Sequence, residues 1–169
     1  MAFWTESSPG EPKQKFKFLL ESPTFPNFSG RWIFAKSITK PSYEINTTSY
    51  QIGNHNIKYP GVVTWKDIDV KVVDYQDGES VTSALYANLI NMGYENPKDQ
   101  PWSEGIGKNS VATIDKFTIF QLNSLGEAVE TWTLFNVIVS SVAFGDLSYS
   151  EDGLVELNLT LAYDYATLQ

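Results

Sequence analysis

The sequence contains no cysteine. That absence removes disulfide frameworks, cysteine-based zinc sites and thiol nucleophiles together, so stability has to come from packing or assembly. Histidine is nearly as scarce. His55 stands alone in a polar, turn-rich stretch, and nothing near it supplies a nucleophile or a further ligand; it reads as an ordinary surface residue. There is no Gly-x-Ser-x-Gly elbow, His-Glu-x-x-His motif, Walker loop or dinucleotide fingerprint. Basic residues are the minority, 12 Lys and Arg against 20 Asp and Glu, for a formal net charge of -8. A protein that grips nucleic acid by its phosphates needs a basic surface, which this chain lacks overall. An acidic wall can still guide DNA, because like charge keeps the polymer from adhering. Long apolar runs are missing too. The richest, from about Leu134 to Phe144, is broken by Asn136, Ser140 and Ser141 and is too short to span a bilayer. Met1 to Glu6 shows no basic region followed by an apolar core. A soluble protein made in a cytoplasm, with no membrane anchor, is therefore expected.

What remains is ordinary for a globular chain. Its 169 residues fit one domain, with 42% hydrophobic and 19% charged residues. Aromatic residues make up 14%, a load that suits strands and interfaces. The expected organisation is a flexible arm over 1–12, rich in Ser, Pro and Gly, followed by a single β domain over 13–169. No internal repeat or low-complexity tract is readable.

Alternation predicts a strand over Lys13 to Leu20 and a short one over Trp32 to Lys36. Between them Pro23, Pro26, Asn27 and Gly30 mark a loop. Tyr43 to Gln51 sets Glu44, Asn46, Thr48 and Tyr50 on one face and Tyr43, Ile45, Thr47, Ser49 and Gln51 on the other. Neither face is strongly apolar, so this strand does not belong in the middle of a core. Gly53-Asn54 signals a turn with His55 to Tyr59 as the returning arm, and Pro60-Gly61 a further turn. Asp67 to Tyr75 reads as a strand ended by Asp77-Gly78. The one good helix candidate follows. It has Ser80 as N-cap, Glu79 near the positive end, and Val81, Leu85, Leu89 and Met92 at helical spacing, with Gly93 to end it. Asn96 to Gly107 reads as a long loop. Strands are then expected over Val111 to Leu122, Val129 to Val142 and Leu154 to Tyr165. In the last, Val155, Leu157, Leu159, Leu161, Tyr163 and Tyr165 face one side, and Glu156, Asn158, Thr160 and Asp164 the other.

Residues that could carry chemistry have plainer explanations. Asp67 and Asp69 share one strand face, where a catalytic carboxylate pair is less apt than two solvated charges. Asp146, Glu151 and Asp152 lack EF-hand spacing and read as a polar turn. Three glycosylation sequons, beginning at Asn27, Asn46 and Asn158, are coincidental without a secretory leader. Trp32, Trp65 and Trp132 lie in or beside strands and suit a core or interface. Trp4 and Trp102 lie in irregular segments and are candidate anchors between subunits. No enzyme, metal or cofactor is expected.

Three features in order resemble the tail tube proteins of contractile-tailed (myovirus-type) bacteriophages. The first is the pair Lys13 to Leu20 and Trp32 to Lys36 leading into Ser37-Ile38-Thr39-Lys40-Pro41. The second is Ile57-Lys58-Tyr59-Pro60-Gly61 running into Val63-Thr64-Trp65-Lys66-Asp67-Ile68-Asp69-Val70-Lys71-Val72-Val73-Asp74, followed by a helix. The third is the ending Val155-Glu156-Leu157-Asn158-Leu159-Thr160-Leu161-Ala162-Tyr163-Asp164-Tyr165. The resemblance spans about Lys13 to Tyr165. It implies a mainly β fold, a small antiparallel β-barrel or sandwich with one flanking α-helix. It also implies a virion structural protein, assembled in the host cytoplasm, that forms hexameric rings stacked into a hollow conduit. Its partners would be a tail sheath protein and baseplate and tube-terminator proteins, with DNA passing through unbound. A tube-initiating baseplate protein, a tube terminator, and the tube of a secretion machine have the same features. A Trp-rich carbohydrate-binding β-sandwich is the reading outside this class, and it requires an exposed aromatic platform on a monomer.

On this reading Glu44, Asn46 and Thr48 are the first candidates to line the lumen, with Glu156, Asn158 and Thr160 second. Gly53, Asn54, Trp4 and Trp102 are candidates for contacts between rings or subunits.

Overall fold

A computed structural model describes residues 12–22, 30–32, 35–75, 80–98 and 114–169. The chain runs β1 (Phe18–Ser22), β2 (Gly30–Arg31), β3 (Ala35–Ile38), β4 (Ser42–Ile52), β5 (His55–Lys66), β6 (Ile68–Val73), α1 (Val81–Asn91), β7 (Ile114–Leu122), β8 (Ala128–Ala143), β9 (Glu156–Ala162) and β10 (Tyr165–Leu168). Among the described residues the architecture is mainly β with one helix, and every pairing is antiparallel. The main sheet has the order β2-β1-β7-β8-β9-β6-β3, with β10 also on β8, while β4 and β5 pair only with each other.

β8 joins the two halves of the main sheet. Along one edge it pairs with β7; along the other it pairs first with β10, through Trp132 to Phe135, and then with β9, through Ile138 to Ala143. Between those stretches Asn136 takes a left-handed φ of 53°, a conformation asparagine tolerates better than most residues. Its amide donates to Asp164 Oδ2 at 2.9 Å. The strand expected to continue unbroken to Tyr165 is interrupted here. Asp164 donates its N–H to the Phe135 carbonyl at 3.1 Å and the chain resumes as β10. Tyr165 therefore leaves the buried row and stacks on Phe135, with ring centroids 4.7 Å apart.

Period-2 patterning builds the core. Ile68, Val70 and Val72 on β6 and Leu157, Leu159 and Leu161 on β9 are all buried. They share one cluster with Leu20, Phe117, Ile119, Leu134 and Val137 from the other half, and with Val81, Ala84 and Leu85 of α1. Trp32 closes on Phe117 edge-to-face at 5.3 Å.

Several local expectations are corrected. Lys13 to Leu20 is not one strand: residues 15–16 form a turn and β1 begins at Phe18. The buried amide of Gln121 holds that turn, donating to the carbonyls of Gln14 at 2.7 Å and Lys17 at 3.0 Å. Of the strand expected over Trp32 to Lys36, Trp32 lies in no strand, residues 33–34 lie outside the described residues, and β3 continues past Lys36 to Ile38. Pro60-Gly61 is not a turn but lies inside β5, at a register shift where Gly61 and Val62 oppose Asn46. Proline has no N–H to give a ladder, so a bulge is one of the few strand positions open to it. Gly61 fits because a Cβ there would come 2.9 Å from the Asn46 carbonyl oxygen. Ser80 stands at the N-cap position of α1 but makes no side-chain cap bond; Asp74 supplies it. The turn at Asp77-Gly78, Glu79, and the loop Asn96 to Gly107 beyond Lys98 lie outside the described residues.

Candidate assembly surface

β4 and β5 form a ribbon of 11 and 12 residues joined by Gly53-Asn54. Gly53 has a φ of 59°, as a two-residue hairpin turn with glycine first requires. Every residue of both strands is exposed except Trp65, which is half-buried. It meets Tyr43 at 5.5 Å and Tyr163 at 6.0 Å between ring centroids, and so attaches the base of the ribbon to the main sheet.

Paired residues share a face, so the register sorts the ribbon's side chains. On one face Tyr43 with Trp65 and Ile45 with Val63 lie near the base, followed by Ser49 with Lys58 and Gln51 with Asn56 toward the tip. On the other, Glu44 with Thr64 lies near the base, followed by Thr48 with Tyr59, Tyr50 with Ile57 and Ile52 with His55. The apolar side chains thus change face at the Gly61 bulge. Read as one alternation, β4 looks polar on both sides; read in halves, each half has one apolar face. The tip half exposes Tyr50, Ile52, Ile57 and Tyr59 together, Tyr50 at 62%. Alternation along one strand could not find this cluster, because half of it comes from β5 and depends on register.

The candidate lumen residues fall in two places. Glu44, Asn46 and Thr48 share a ribbon face and are exposed. Glu44 pairs with Lys66 at 3.2 Å, Asn46 sits at the bulge, and Thr48 lies opposite Tyr59. Glu156, Asn158 and Thr160 lie on the outward face of β9, where Glu156 pairs with Lys36 and Thr160 donates to Asp69 Oδ1 at 2.9 Å. The Lys36 ammonium holds the Glu156 carboxyl below its usual range. Gly53 and Asn54 form the ribbon tip. Trp4 and Trp102 lie outside the described residues.

Sequence reading missed a compact ion cluster. Glu130 accepts from Lys13, from Lys40 at 2.9 Å, and from the Trp132 indole N–H. These donors, Lys13 foremost, hold its carboxyl down to about 2. Lys13 and Lys40 reach it from 117 and 90 residues away, which no spacing rule could signal.

Two other expectations can be placed. Asp146, Glu151 and Asp152 are exposed, and no three potential metal ligands cluster among the described residues. Trp32 is buried and Trp65 and Trp132 are half-buried, so none of these three presents an open platform for a sugar. Among the described residues, no helix is long and apolar enough to cross a membrane.

No family model matches the sequence, and no curated protein matches it. Solved structures match over nearly the whole chain. One is a chain of the anti-feeding prophage baseplate, six-fold symmetrised, at 16% identity and TM-score 0.66, covering 97% of each chain. Another belongs to the sheath/tube terminator of an extracellular contractile injection system, PVC, in its extended state, at 15% identity and TM-score 0.69, covering 96% of this chain and 99% of that one. A third belongs to the sheath-tube complex of the same kind of particle, at 16% identity and TM-score 0.68, covering 98% and 99%. The chain has the tail-tube-like fold of contractile systems. Among the described residues, strands of the main sheet and α1 bury one apolar cluster, whereas the β4–β5 ribbon exposes every residue but Trp65.

Proposed function

We propose that this protein is a structural subunit of a tube, building hexameric rings that stack into a hollow conduit inside a contractile sheath. The observation that carries the reading is the ribbon. A lone two-stranded hairpin is marginally stable in water, and this one exposes Tyr50, Ile52, Ile57 and Tyr59 on one face of its outer half. A second copy of the chain would bury that face, and repeated contact of one surface with a different surface of the next copy closes a ring. The resemblance in fold, to chains of tube, terminator and six-fold baseplate particles, supports the same reading.

In such a wall Glu44, Asn46 and Thr48 turn to the lumen, and Tyr50, Ile52, Ile57 and Tyr59, farther toward the tip on the same face, pack on the neighbouring subunit. Glu156, Asn158 and Thr160 are the second lumen candidates. Gly53 and Asn54 at the tip, with Trp4 and Trp102, make contacts between rings. The subunit has a structural rather than a catalytic role, and DNA or another cargo passes through unbound. Sheath, baseplate and terminator proteins are its partners in a phage tail or a related particle.

Electron microscopy of the purified protein in negative stain, beside its size-exclusion profile, tests the reading. Hollow tubes of uniform width support a tube subunit, whereas single rings that never stack point to a terminator or initiator. Tubes lost on replacing Tyr50 and Ile57 by serine identify the ribbon as the contact. Assembly unchanged in that variant rules the ribbon out.

A further inference from the structure

The strand β8 runs 16 residues and carries exposed surfaces of opposite charge at its two ends. Past Ala143 the loop of residues 144–155 leads to β9. Residues 143–154 are all exposed, Leu147 at 88% with Tyr149 and Leu154 beside it. The loop holds Asp146, Glu151 and Asp152 and no lysine or arginine. None of its three acids makes an ion pair among the described residues.

At the other end of β8 the hairpin from β7 lies beside the turn that precedes β1, because Leu122 donates its N–H to the Lys17 carbonyl at 2.9 Å. Phe16, Leu125 and Val129 are exposed here, Leu125 at 83%. Lys13, Lys15 and Lys17 stand on the turn. Lys13 is engaged with Glu130. Lys15 and Lys17 make no ion pair among the described residues, and Lys17 rests over the Phe16 ring at 5.6 Å. Glu127 is the one acid within residues 123–127. A cleft of about 300 Å³ opens between turn and hairpin, with Lys17, Leu122 and Val129 in its walls.

Scattered exposed apolar side chains are ordinary, but grouped ones mark contact surfaces. These two groups complement each other, one set among acids and one among lysines. They lie at opposite ends of one strand, so joining them takes two copies. We infer that residues 144–155 of one copy dock on the turn of residues 13–17 and the β7–β8 hairpin of the next, as a contact that stacks one ring on another. The inference rests on the tube reading above, in which the ribbon closes each ring; a second, head-to-tail contact then repeats along the axis. Leu147 and Tyr149 cover Phe16, Leu125 and Val129, while Asp146, Glu151 and Asp152 face Lys15 and Lys17. The charges fix the polarity of stacking, because like ends repel.

Two charge-reversed full chains test it by negative stain and sedimentation velocity. One carries Lys15→Glu and Lys17→Glu, which leaves both ends acidic. The other carries Asp146→Lys and Asp152→Lys, which leaves both basic. Each alone should form single rings, with the concentration needed for stacking raised about tenfold. Rings of the two mixed in equal amounts should stack again, which misfolded chains could not do. Salt should weaken stacking of the parent and relieve the repulsion in each variant. Tyr149→Ser should weaken stacking without shifting the unfolding midpoint. Variants that stack like the parent overturn the docking and leave the tube reading intact. A loss that mixing does not restore also overturns it, and assigns the two ends to other partners or to the chain's own residues 1–11. A parent that forms only single rings overturns the docking alone; one that forms neither rings nor tubes overturns both readings.

Discussion

Asp74 Oδ1 accepts the backbone N–H of Val81 at 3.0 Å, across seven residues. The carboxylate therefore caps α1 from the end of β6 and ties strand to helix. It also receives the hydroxyls of Thr82 at 2.6 Å and Ser80 at 3.2 Å. Burial alone would raise its pKa, but these hydrogen bonds outweigh it and hold the carboxyl below its usual range. Asp74→Ala is expected to cost about 1–2 kcal/mol, read from the urea unfolding midpoint. Ser80→Ala removes only one hydroxyl donor, shared between the two Asp74 oxygens at 3.2 and 3.4 Å, and should cost clearly less. Equal losses would return the capping role to Ser80.

Glu130 makes stability depend on pH. Its carboxyl is lowered from 4.5 to about 2 by Lys13, Lys40 and Trp132. A group whose folded pKa is depressed contributes stability above its unfolded pKa and loses it as pH falls through the folded one. The contribution should be complete above about pH 5 and fade toward pH 2. Glu130→Gln should cost about 1 kcal/mol at pH 7, since both lysines are well exposed to solvent and screening weakens the pairs. The gap between variant and parent should narrow in unfolding measured at pH 3. A constant gap would show that the carboxylate charge is not what the cluster uses.

Gly145 and Gly126 have similar backbones, with φ of 79° and 81°, but different surroundings. A Cβ at Gly126 meets nothing within 4 Å, whereas one at Gly145 would lie 2.6 Å from the Glu156 carbonyl oxygen. Gly126→Ala should cost about 1 kcal/mol, the left-handed penalty alone. Gly145→Ala should cost more, because β9 must shift as well. Thermal unfolding of both variants decides it, and equal shifts would mean the start of β9 yields freely.

Core and ribbon should respond oppositely to truncation. Leu159 is 1% exposed, and Leu159→Ala should cost about 2–5 kcal/mol. Tyr50→Ser, on the exposed ribbon, should leave unfolding within about 0.5 kcal/mol of the parent yet reduce assembly in negative stain. Loss of stability in Tyr50→Ser without loss of assembly would assign the residue to folding.

Trp4 is a candidate ring-to-ring anchor. Trp4→Ala should shorten tubes or lower their yield more than it shifts the unfolding midpoint. Unchanged tube length and yield would remove that role.

The strands that could be read correctly from the sequence are those whose chemistry is local. Leu157, Leu159 and Leu161 alternate with polar residues, and any sheet that buries one face of such a strand must bury those three. The helix from Val81 could be read the same way, and Gly53-Asn54 as a hairpin turn. The exposed character of β4 also followed from its composition. The misplaced features depend on partners distant in sequence. Lys13 to Phe16 alternate like a strand, but the Gln121 amide holds that segment as a turn.

The amino-acid sequence by itself therefore determined a mainly β chain, its principal buried rows, the helix from Val81 and the lack of any cysteine or histidine cluster, because these follow from side-chain type and short-range periodicity. The tertiary structure alone decided where the ribbon changes its apolar face, that Glu130 gathers Lys13, Lys40 and Trp132, and that the Gln121 amide holds Lys13 to Phe16 as a turn. Each of these depends on strand register and on contacts between residues far apart in the chain, and pairing geometry, not local preference, sets them.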